Sequence, residues 1–201
     1  MEVSAYSLDD LQSVLGSVGD DVQIHKSVLF FGPENIFISS HVRIDCHCIL
    51  SAGKDGVYIG RNVHIAAGVY VFGSSARVEL QDFCGLSSRV ILYTASDDYS
   101  KGAMTNPTIP SKYRDVISGP VVMKKHALVG AGSVVLPGVT LGFGSSVGAL
   151  SLIHRDTPDF SIVAGSPARP VGTRSDRLRE LELEFLAETS GQVEQTFDTG
   201  N

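Results

Sequence analysis

The sequence predicts an all-β solenoid, a parallel β-helix of hexapeptide repeats, from one short repeat and the way in which it is interrupted. From Val129 to Ile153 an aliphatic residue recurs at every sixth position, and the fifth place of each unit holds a small or β-branched residue. Six residues are too few for a helical or hairpin unit, but they suit a short strand followed by a tight turn. Both the aliphatic and the small residue then point into the core.

The same unit recurs in triples nearer the N-terminus. Its starts are Ile38, Ile44 and Leu50, then Ile59, Ile65 and Val71, then Leu80, Leu86 and Leu92, and its fifth places include Val42, Cys48, Val63, Val69, Ser75, Cys84 and Val90. Within a triple the step is six residues, whereas from Leu50 to Ile59 and from Val71 to Leu80 it is nine. We therefore predict a three-sided coil with one longer corner, in which each coil packs its apolar residues on the next.

A polar stretch that begins "YTASDDYSKGAMTNP" interrupts this pattern over residues 93–122. The last start before it is Leu92, and the next start on the first side is Met123, so the excursion leaves and re-enters at the longer corner. The register survives the interruption, as it should if a long loop leaves an intact coil. The predicted β-helix spans residues 22–157 and carries this inserted loop.

Helices are predicted at both ends of the coil. Residues 1–21 form a lead-in with a short helix, for which Ser7 is the expected N-cap and three leucines share one face. Residues 158–188 form a C-terminal extension with a helix capped by Ser175. The remaining residues, 189–201, are predicted to be a disordered tail.

Composition excludes several classes of function. A formal net charge of -6 argues against nonspecific nucleic-acid binding. No apolar run reaches roughly 18 residues, which predicts no membrane span, and the N-terminus lacks the pattern of a secretory signal. The odd set of cysteines, Cys46, Cys48 and Cys84, fits a reducing cytoplasm better than a disulfide scaffold, and no second Cys/His pair has zinc-type spacing. We expect a cytoplasmic protein without a metal site.

Two segments carry a resemblance to a known family. "ISGPVVMKKHALVGAGSVVLPGVTLG", followed by "SIVAGSPARPV", resembles the left-handed β-helix acyltransferases, near the galactoside, maltose and nodulation acetyltransferases of the sugar O-acetyltransferase branch. The resemblance covers roughly residues 20–174. It implies a left-handed coil, a homotrimer with active sites between subunits, acetyl-CoA as the acyl donor, and a sugar or nucleotide-linked sugar as the acceptor. Outward apolar residues such as Tyr70, Val122 and Val134 also favour a trimer.

The resemblance also implies which residues bind the donor. They are Ala131, Gly132, Ala149, His154, Arg155, Arg169 and Arg174. Ala131 and Ala149 match positions whose backbone amides contact the thioester and pantetheine, where a small side chain lets a narrow ligand approach and an amide can stabilise an oxyanion. His154 and Arg155 match a pair near the nucleotide end. Arg169 matches a basic residue near the CoA phosphates, and Arg174 is a second candidate.

In the sugar O-acetyltransferases the loop at this point shapes the acceptor site and begins with a catalytic histidine followed by proline. Here Asp97 and Asp98 stand in those places, so the expected base is missing. Three alternatives remain open: an aspartate acts as the base, the pair binds a cationic acceptor, or an aspartate caps a turn. Ser74 and Ser75, where relatives often place an acidic or amide residue, and Tyr99 are the candidate acceptor contacts.

Histidine has the ordinary pKa best suited to a general base. His126 is the favoured candidate because it lies one unit before Ala131, whereas His25, His41, His47 and His64 are expected at exposed corners. The histidines lack the spacing of a carbonic-anhydrase-like zinc site. The predicted function is direct transfer of an acetyl group from acetyl-CoA to a sugar hydroxyl in polysaccharide synthesis. The alternatives are N-acetylation of a nucleotide-linked amino sugar, transfer to a non-sugar acceptor, and a noncatalytic β-helix scaffold.

Overall fold

A computed structural model describes residues 4–100 and 102–197, with side chains described up to residue 189. Two α-helices, α1 (Leu8–Val14) and α2 (Leu178–Phe197), flank the strands, and 3₁₀ helices cover Pro33–Asn35 and Ser111–Tyr113. The strands in chain order are β1 (Ser17–Val18), β2 (Gln23–Ile24), β3 (Leu29–Phe31), β4 (Ile36–Ile38), β5 (Arg43–Ile44), β6 (Ile49–Ala52), β7 (Val57–Ile59), β8 (His64–Ile65), β9 (Tyr70–Gly73), β10 (Val78–Leu80), β11 (Gly85–Leu86), β12 (Ile91–Tyr93), β13 (Ala95–Asp97), β14 (Val116–Ser118), β15 (Val121–Met123), β16 (Leu128–Val129), β17 (Val134–Val135), β18 (Thr140–Leu141), β19 (Ser146–Val147), β20 (Leu152–Ile153), β21 (Ser161–Gly165) and β22 (Ala168–Thr173).

The strands form the three sides of one coil. The first side is β1-β4-β7-β10-β15-β18, the second is β2-β5-β8-β11-β16-β19-β21-β22, and the third is β3-β6-β9-β12-β17-β20. Within these three sides all strand pairs are parallel except β21 with β22, so each side repeats once per turn of the coil. Leu80 faces Met123 across the β10–β15 pair, which confirms that the long loop leaves the register intact.

The predicted repeat defines the core. The aliphatic unit starts are almost fully buried, and so are Cys48 and Cys84 at inward fifth places. Each buried Leu, Ile or Val contributes roughly 1.5–3 kcal/mol relative to an exposed one, so the stack of coils is the main stabilising feature. Ser75 is the exception. The prediction placed it inward, but it is exposed, because the chain turns out of the coil after Gly73 at the longer corner.

The coil extends beyond both predicted limits. Ser17–Val18 pairs in parallel with β4, ahead of residue 22, and β21 pairs in parallel with β19, past residue 157. At the N-terminus, the Oγ of Ser7 accepts a hydrogen bond from the Asp10 N–H at 3.1 Å, as its predicted role as the cap of α1 requires. Within the described residues, no helix is long and apolar enough to cross a bilayer.

The C-terminal helix is longer than the sequence predicts. The Oγ of Ser175 accepts from the Arg177 N–H at 3.2 Å just before the helix, near the expected cap. The backbone stays helical to Phe197, so residues 189–197 are helical where a disordered tail is predicted. Residues 198–201 lie outside the described part of the chain.

Candidate functional site

The corner between the second and third sides carries the predicted thioester contacts. We call it the site corner, formed by residues 45–47, 66–68, 87–89, 130–132 and 148–150. Ala131 and Ala149 are exposed there, one above the other, with coils spaced by roughly 4.8 Å. The glycines that precede them permit close stacking, since a Cβ on Gly130 would lie 2.6 Å from the Ala149 amide nitrogen.

Backbone hydrogen bonds at the site corner leave some amides available. The Gly132 N–H donates to the Ser88 carbonyl at 2.9 Å, and the Leu150 N–H donates to the Ala131 carbonyl at 2.8 Å. Within the described residues, the N–H groups of Ala131 and Ala149 donate to no acceptor. Exposed amides of this kind can bind a thioester oxygen and the oxyanion that forms from it.

A basic cavity opens toward the C-terminal end of the coil. It has a volume of about 280 Å³ and brings together the predicted His154, Arg155 and Arg169. Among the described residues, the exposed Arg169 guanidinium makes one hydrogen bond, from Nη1 to its neighbour's carbonyl at 3.0 Å, and the buried Nδ1 of His154 has no partner. Two guanidinium groups beside an unsatisfied imidazole nitrogen suit a phosphate-bearing ligand.

The structure places His126 and Arg174 elsewhere. Both lie at the corner between the first and second sides, which we call the helix corner (residues 60–62, 81–83, 124–126 and 142–144). The Nη1 of Arg174 donates to the His126 carbonyl at 2.8 Å, so this arginine ties the C-terminal extension to the coil instead of facing the basic cavity. One unit along the chain is one side of the triangle, and His126 is therefore a full side away from the corner of Ala131.

The His126 imidazole is enclosed by the C-terminal helix. Its Nε2 lies 2.8 Å from a Glu182 carboxylate oxygen, and its ring stacks on Phe83 with centroids 4.8 Å apart. The side chain is only 13% exposed. These contacts give His126 a structural role in holding α2, and nothing at the helix corner brings it to the exposed amides of the site corner.

Lys125 shares the Glu182 carboxylate. Its Nζ lies 2.7 Å from Oε1 of Glu182. Burial opposes ionisation of Glu182, but hydrogen bonds from Lys125 and His126 outweigh it and lower the pKa of the carboxyl below its ordinary value. The hydrogen bond to Glu182 outweighs desolvation and raises the pKa of Lys125. The pair is thus an electrostatic clamp between α2 and the coil.

Glu182→Gln is expected to lower Tm by roughly 2–8 °C at pH 7, because it removes about 1–2 kcal/mol of charge-assisted contacts to a partly exposed lysine. A lowered carboxyl pKa stabilises the fold above the ordinary pKa of about 4.5 and ceases to do so as pH falls through the folded value. The difference should therefore shrink as pH falls below about 4.5. Thermal melts of Glu184→Gln, an exposed glutamate on the same helix, provide the control. A Tm difference that persists unchanged at pH 3 would contradict the clamp.

The long loop begins as a β-hairpin in which both predicted aspartates have structural contacts. β13 pairs antiparallel with β14, and one Asp97 oxygen accepts from the Asn106 N–H at 2.8 Å while the other lies 3.7 Å from Arg114 Nη1. Asp98 is buried, and its Oδ1 accepts from the Ser100 N–H at 2.9 Å and from the Ser100 hydroxyl. Asp98 therefore caps a turn, as one of the three alternatives predicted. The Asp97 side chain remains 27% exposed.

The candidate acceptor contacts Ser74, Ser75 and Tyr99 lie around the stem and tip of the same loop. The Ser75 N–H donates to Thr94 Oγ1 at 3.3 Å, and Thr94 is fully buried where the loop leaves the coil. Tyr99 is 81% exposed. Within one subunit these residues stand at the longer corner, a side away from Ala131, so they meet the exposed amides only if the loop reaches a neighbouring subunit.

The two buried cysteines, Cys48 and Cys84, are unsuited to covalent catalysis. Burial raises the pKa of the Cys48 thiol and raises that of Cys84 to about 12, so both stay protonated at neutral pH. Cys46 is unpaired as well, and the described residues contain no group of His, Cys, Asp or Glu that could hold a metal ion.

Sequence reasoning missed one part of the site corner. His47, Ser88 and Arg89 stack below Ala131 and Ala149, at the end of the corner opposite the basic cavity. A usable signal existed, because the third place of this corner is glycine at Gly68 and Gly132 but a nitrogen-bearing side chain at His47 and Arg89.

Comparisons with known proteins bear directly on this geometry. The family model described as the hexapeptide repeat of succinyl-transferase matches residues 47–72 and 120–149. The dTDP-4-amino-4,6-dideoxy-D-glucose acyltransferase of Escherichia coli is 41% identical over 175 residues, which cover 87% of this chain and 91% of that protein. The chain belongs to the hexapeptide-repeat acyltransferases. As an acyltransferase of this family it has the predicted fold, a left-handed parallel β-helix.

Solved structures resemble this acyltransferase to different degrees. AntD, an N-acyltransferase from Bacillus cereus, in complex with dTDP and 3-hydroxybutyryl-CoA, has a TM-score of 0.89 at 39% identity, over 94% of this chain and 100% of that chain. Other AntD structures are variants at an aspartate or at a serine ten positions before it. A maltose O-acetyltransferase from Clostridium difficile 630 shares the fold, with a TM-score of 0.55 at 20% identity over 84% of this chain and 74% of that one. The predicted acyl-CoA-dependent chemistry is confirmed at the level of the family.

Proposed function

We propose that this acyltransferase transfers an acetyl group from acetyl-CoA to the amino group of a dTDP-linked 4-amino-4,6-dideoxy sugar. The observation that carries the proposal is the near full-length match to an enzyme named for that acceptor, together with AntD, whose complexes hold the same amino sugar nucleotide and coenzyme A. Of the alternatives open from the sequence, these relatives favour N-acetylation over O-acetylation.

The donor is proposed to lie along the site corner. Its phosphates bind His154, Arg155 and Arg169 in the basic cavity, and its pantetheine runs past the exposed Ala149 toward Ala131. The ammonium form of the acceptor first loses one proton to solvent, and the neutral amine nitrogen then attacks the thioester carbon while the free N–H groups of the corner stabilise the oxyanion. The C–S bond breaks as the remaining ammonium proton of the intermediate passes through solvent to the departing sulfur, which leaves as the CoA thiol. The burial and raised pKa values of the Cys48 and Cys84 thiols support direct transfer without an acyl-enzyme on either of them.

An amine acceptor accounts for the missing histidine. A neutral amine is already a good nucleophile and needs no strong base, unlike a hydroxyl. The acceptor's ammonium form needs an anion to bind it, and the loop supplies Asp97. The serine and aspartate studied in AntD are ten residues apart, a spacing that Ser87 and Asp97 reproduce, as do Ser88 and Asp98. We assign the acceptor contact to Asp97, because its carboxylate is the more exposed of the two.

A homotrimer is proposed as the active form. The third side presents apolar side chains outward, with Leu29 and Phe31 more than half exposed and the rings of Phe72 and Tyr93 stacked at 5.2 Å. Covering this face with a second subunit would bury it and bring the loop of one subunit to the site corner of another. The unpaired cysteines support a cytoplasmic location, and a role in surface polysaccharide synthesis stays a prediction from the resemblance.

The test is the release of free thiol from acetyl-CoA by the purified full chain. The acceptors are dTDP-4-amino-4,6-dideoxyglucose and its counterpart with a hydroxyl at the same carbon, and 3-hydroxybutyryl-CoA is a second donor. Turnover with the amino sugar and none with the hydroxyl sugar is the expected result. Turnover with the hydroxyl sugar alone would reinstate O-acetylation and overturn the proposal.

A further inference from the structure

We infer that Arg89 and His47 bind the diphosphate of the nucleotide-linked acceptor, in a cavity at the N-terminal end of the site corner. The inference rests on the proposed function, since it names where that acceptor is held. The cavity has a volume of about 420 Å³ and is lined by His47, Ala67, Gly68, Tyr70, Arg89 and Ile91. None of these lining residues is acidic, although the chain as a whole has a net charge of -6.

The Arg89 guanidinium is available to bind a ligand. Within the described residues it makes no hydrogen bond or ion pair, and the side chain is exposed. A Cβ built on Gly68 would lie 3.5 Å from Arg89 Cγ, so the arginine lies across the glycine of the preceding coil, toward His47. That distance is an ordinary contact, and the glycine itself is explained by its φ of 72°.

The neighbouring carboxylate does not neutralise this charge. Asp45, at the same corner, is held on the second side by Arg43 at 2.8 Å and by His64 at 2.9 Å. Arg89 therefore keeps its full charge beside an imidazole and the ring of Tyr70. An exposed guanidinium that offers several N–H donors matches a diphosphate, and an aromatic wall suits the nucleoside attached to it.

Position along the coil separates this cavity from the donor's phosphates. Arg89 lies in the coil of β11, three coil steps from β21, beside which the basic cavity with Arg169 opens. Arg169 itself lies on β22, one strand further, so at roughly 4.8 Å per strand the two guanidinium groups are about 19 Å apart along the axis. Ala131 and Ala149, with their free amides, lie between them. The N-terminal end of the site corner then offers Arg89 to the acceptor's diphosphate, and the C-terminal end offers Arg169 to the phosphates of CoA. The amine and the thioester meet between them.

Calorimetric titration of the full chain with dTDP, and separately with CoA, tests the assignment. Arg89→Ala is expected to weaken dTDP binding at least tenfold, with CoA binding changed less than about twofold. Arg89→Gly should behave the same and stay folded, because Arg89 has a φ of 62° that glycine adopts without strain. Arg61→Ala is the matched control, since Arg61 is an exposed arginine without a side-chain partner at the helix corner one coil earlier.

Each other outcome overturns the inference. Unchanged dTDP binding in both Arg89 variants, or a loss of CoA binding instead, would assign the cavity no role in acceptor binding. A change of oligomeric state by light scattering that accompanies lost binding would make Arg89 an assembly residue. Titration of the unaltered protein with dTDP, UDP and inorganic pyrophosphate tests the proposed function separately from the role of Arg89. If the unaltered protein binds none of the three, the proposed class of acceptor is wrong as well.

Discussion

Asp97→Asn is expected to raise the KM for the dTDP-linked amino sugar by roughly 10- to 100-fold and to change kcat by less than about threefold. The carboxylate is proposed to hold the acceptor's ammonium form, and the amide loses that charge. An asparagine oxygen can still accept from the Asn106 N–H, which Asp97 does at 2.8 Å, so the loop should keep its shape. Steady-state kinetics with the acceptor varied at saturating acetyl-CoA measure the effect.

Two companion variants make this result specific. Asp98→Asn keeps an oxygen acceptor for Ser100 and should leave the kinetics nearly unchanged, because this carboxylate is buried in its turn. His126→Gln should lower stability and not turnover, since its imidazole contacts Glu182 at the helix corner. If Asp97→Asn instead slows turnover by roughly 10²–10⁴-fold at unchanged KM, Asp97 is a general base. Equal kinetics in the variant and the unaltered protein would remove it from the site.

The coil was predictable because its information is local. A unit of six residues fixes which side chains point inward, and the repeat carries that information past the loop, so that Leu80 meets Met123. The prediction that Ser75 points inward is wrong for the same reason. The three extra residues at the longer corner break the period, and beyond Gly73 the inward place no longer follows from counting.

The helix corner could not be predicted from the repeat. The sequence favours His126 as the base because it lies one unit before Ala131 and because an imidazole has a suitable ordinary pKa. The role of His126 is decided by its contact with Glu182, which lies 56 residues later in the chain on α2. The hexapeptide repeat does not encode how this helix packs against the coil. Arg174 was misplaced likewise, since its contact with the His126 carbonyl depends on the path of the β21–β22 hairpin. Contacts of this range are tertiary, and they override the local pattern.

The loop aspartates fall between these cases. Turn capping by Asp98 was among the alternatives because an aspartate hydrogen-bonds readily to the backbone two residues on, as it does here to Ser100. In the proposed trimer, a second subunit completes the surroundings of the partly exposed Asp97 carboxylate. Its chemistry therefore depends on assembly, which neither the local sequence nor a single subunit supplies.

The donor path along the site corner gives the other large effect. Ala149→Trp is expected to abolish detectable turnover and the rise in Tm that CoA produces, because the indole would occupy the proposed path of the pantetheine. The Tm of the unliganded protein should stay within about 1 °C, since Ala149 is exposed and its side chain leaves the core untouched. Ala131→Trp should likewise abolish turnover, because it places the same bulk where the thioester is proposed to lie.

Matched variants decide whether this effect is steric and local. Ala187→Trp places the same bulk on an exposed alanine of α2 and should leave both turnover and the CoA-dependent Tm rise intact. Arg169→Ala should raise the KM for acetyl-CoA about tenfold while kcat stays nearly constant, because a phosphate contact at the far end of the donor contributes equally to ground state and transition state. If Ala149→Trp still shows a normal CoA-dependent Tm rise, the donor does not run along this corner. In that case the free amides of Ala131 and Ala149 cannot be its oxyanion contacts either, because both depend on the same column of small residues.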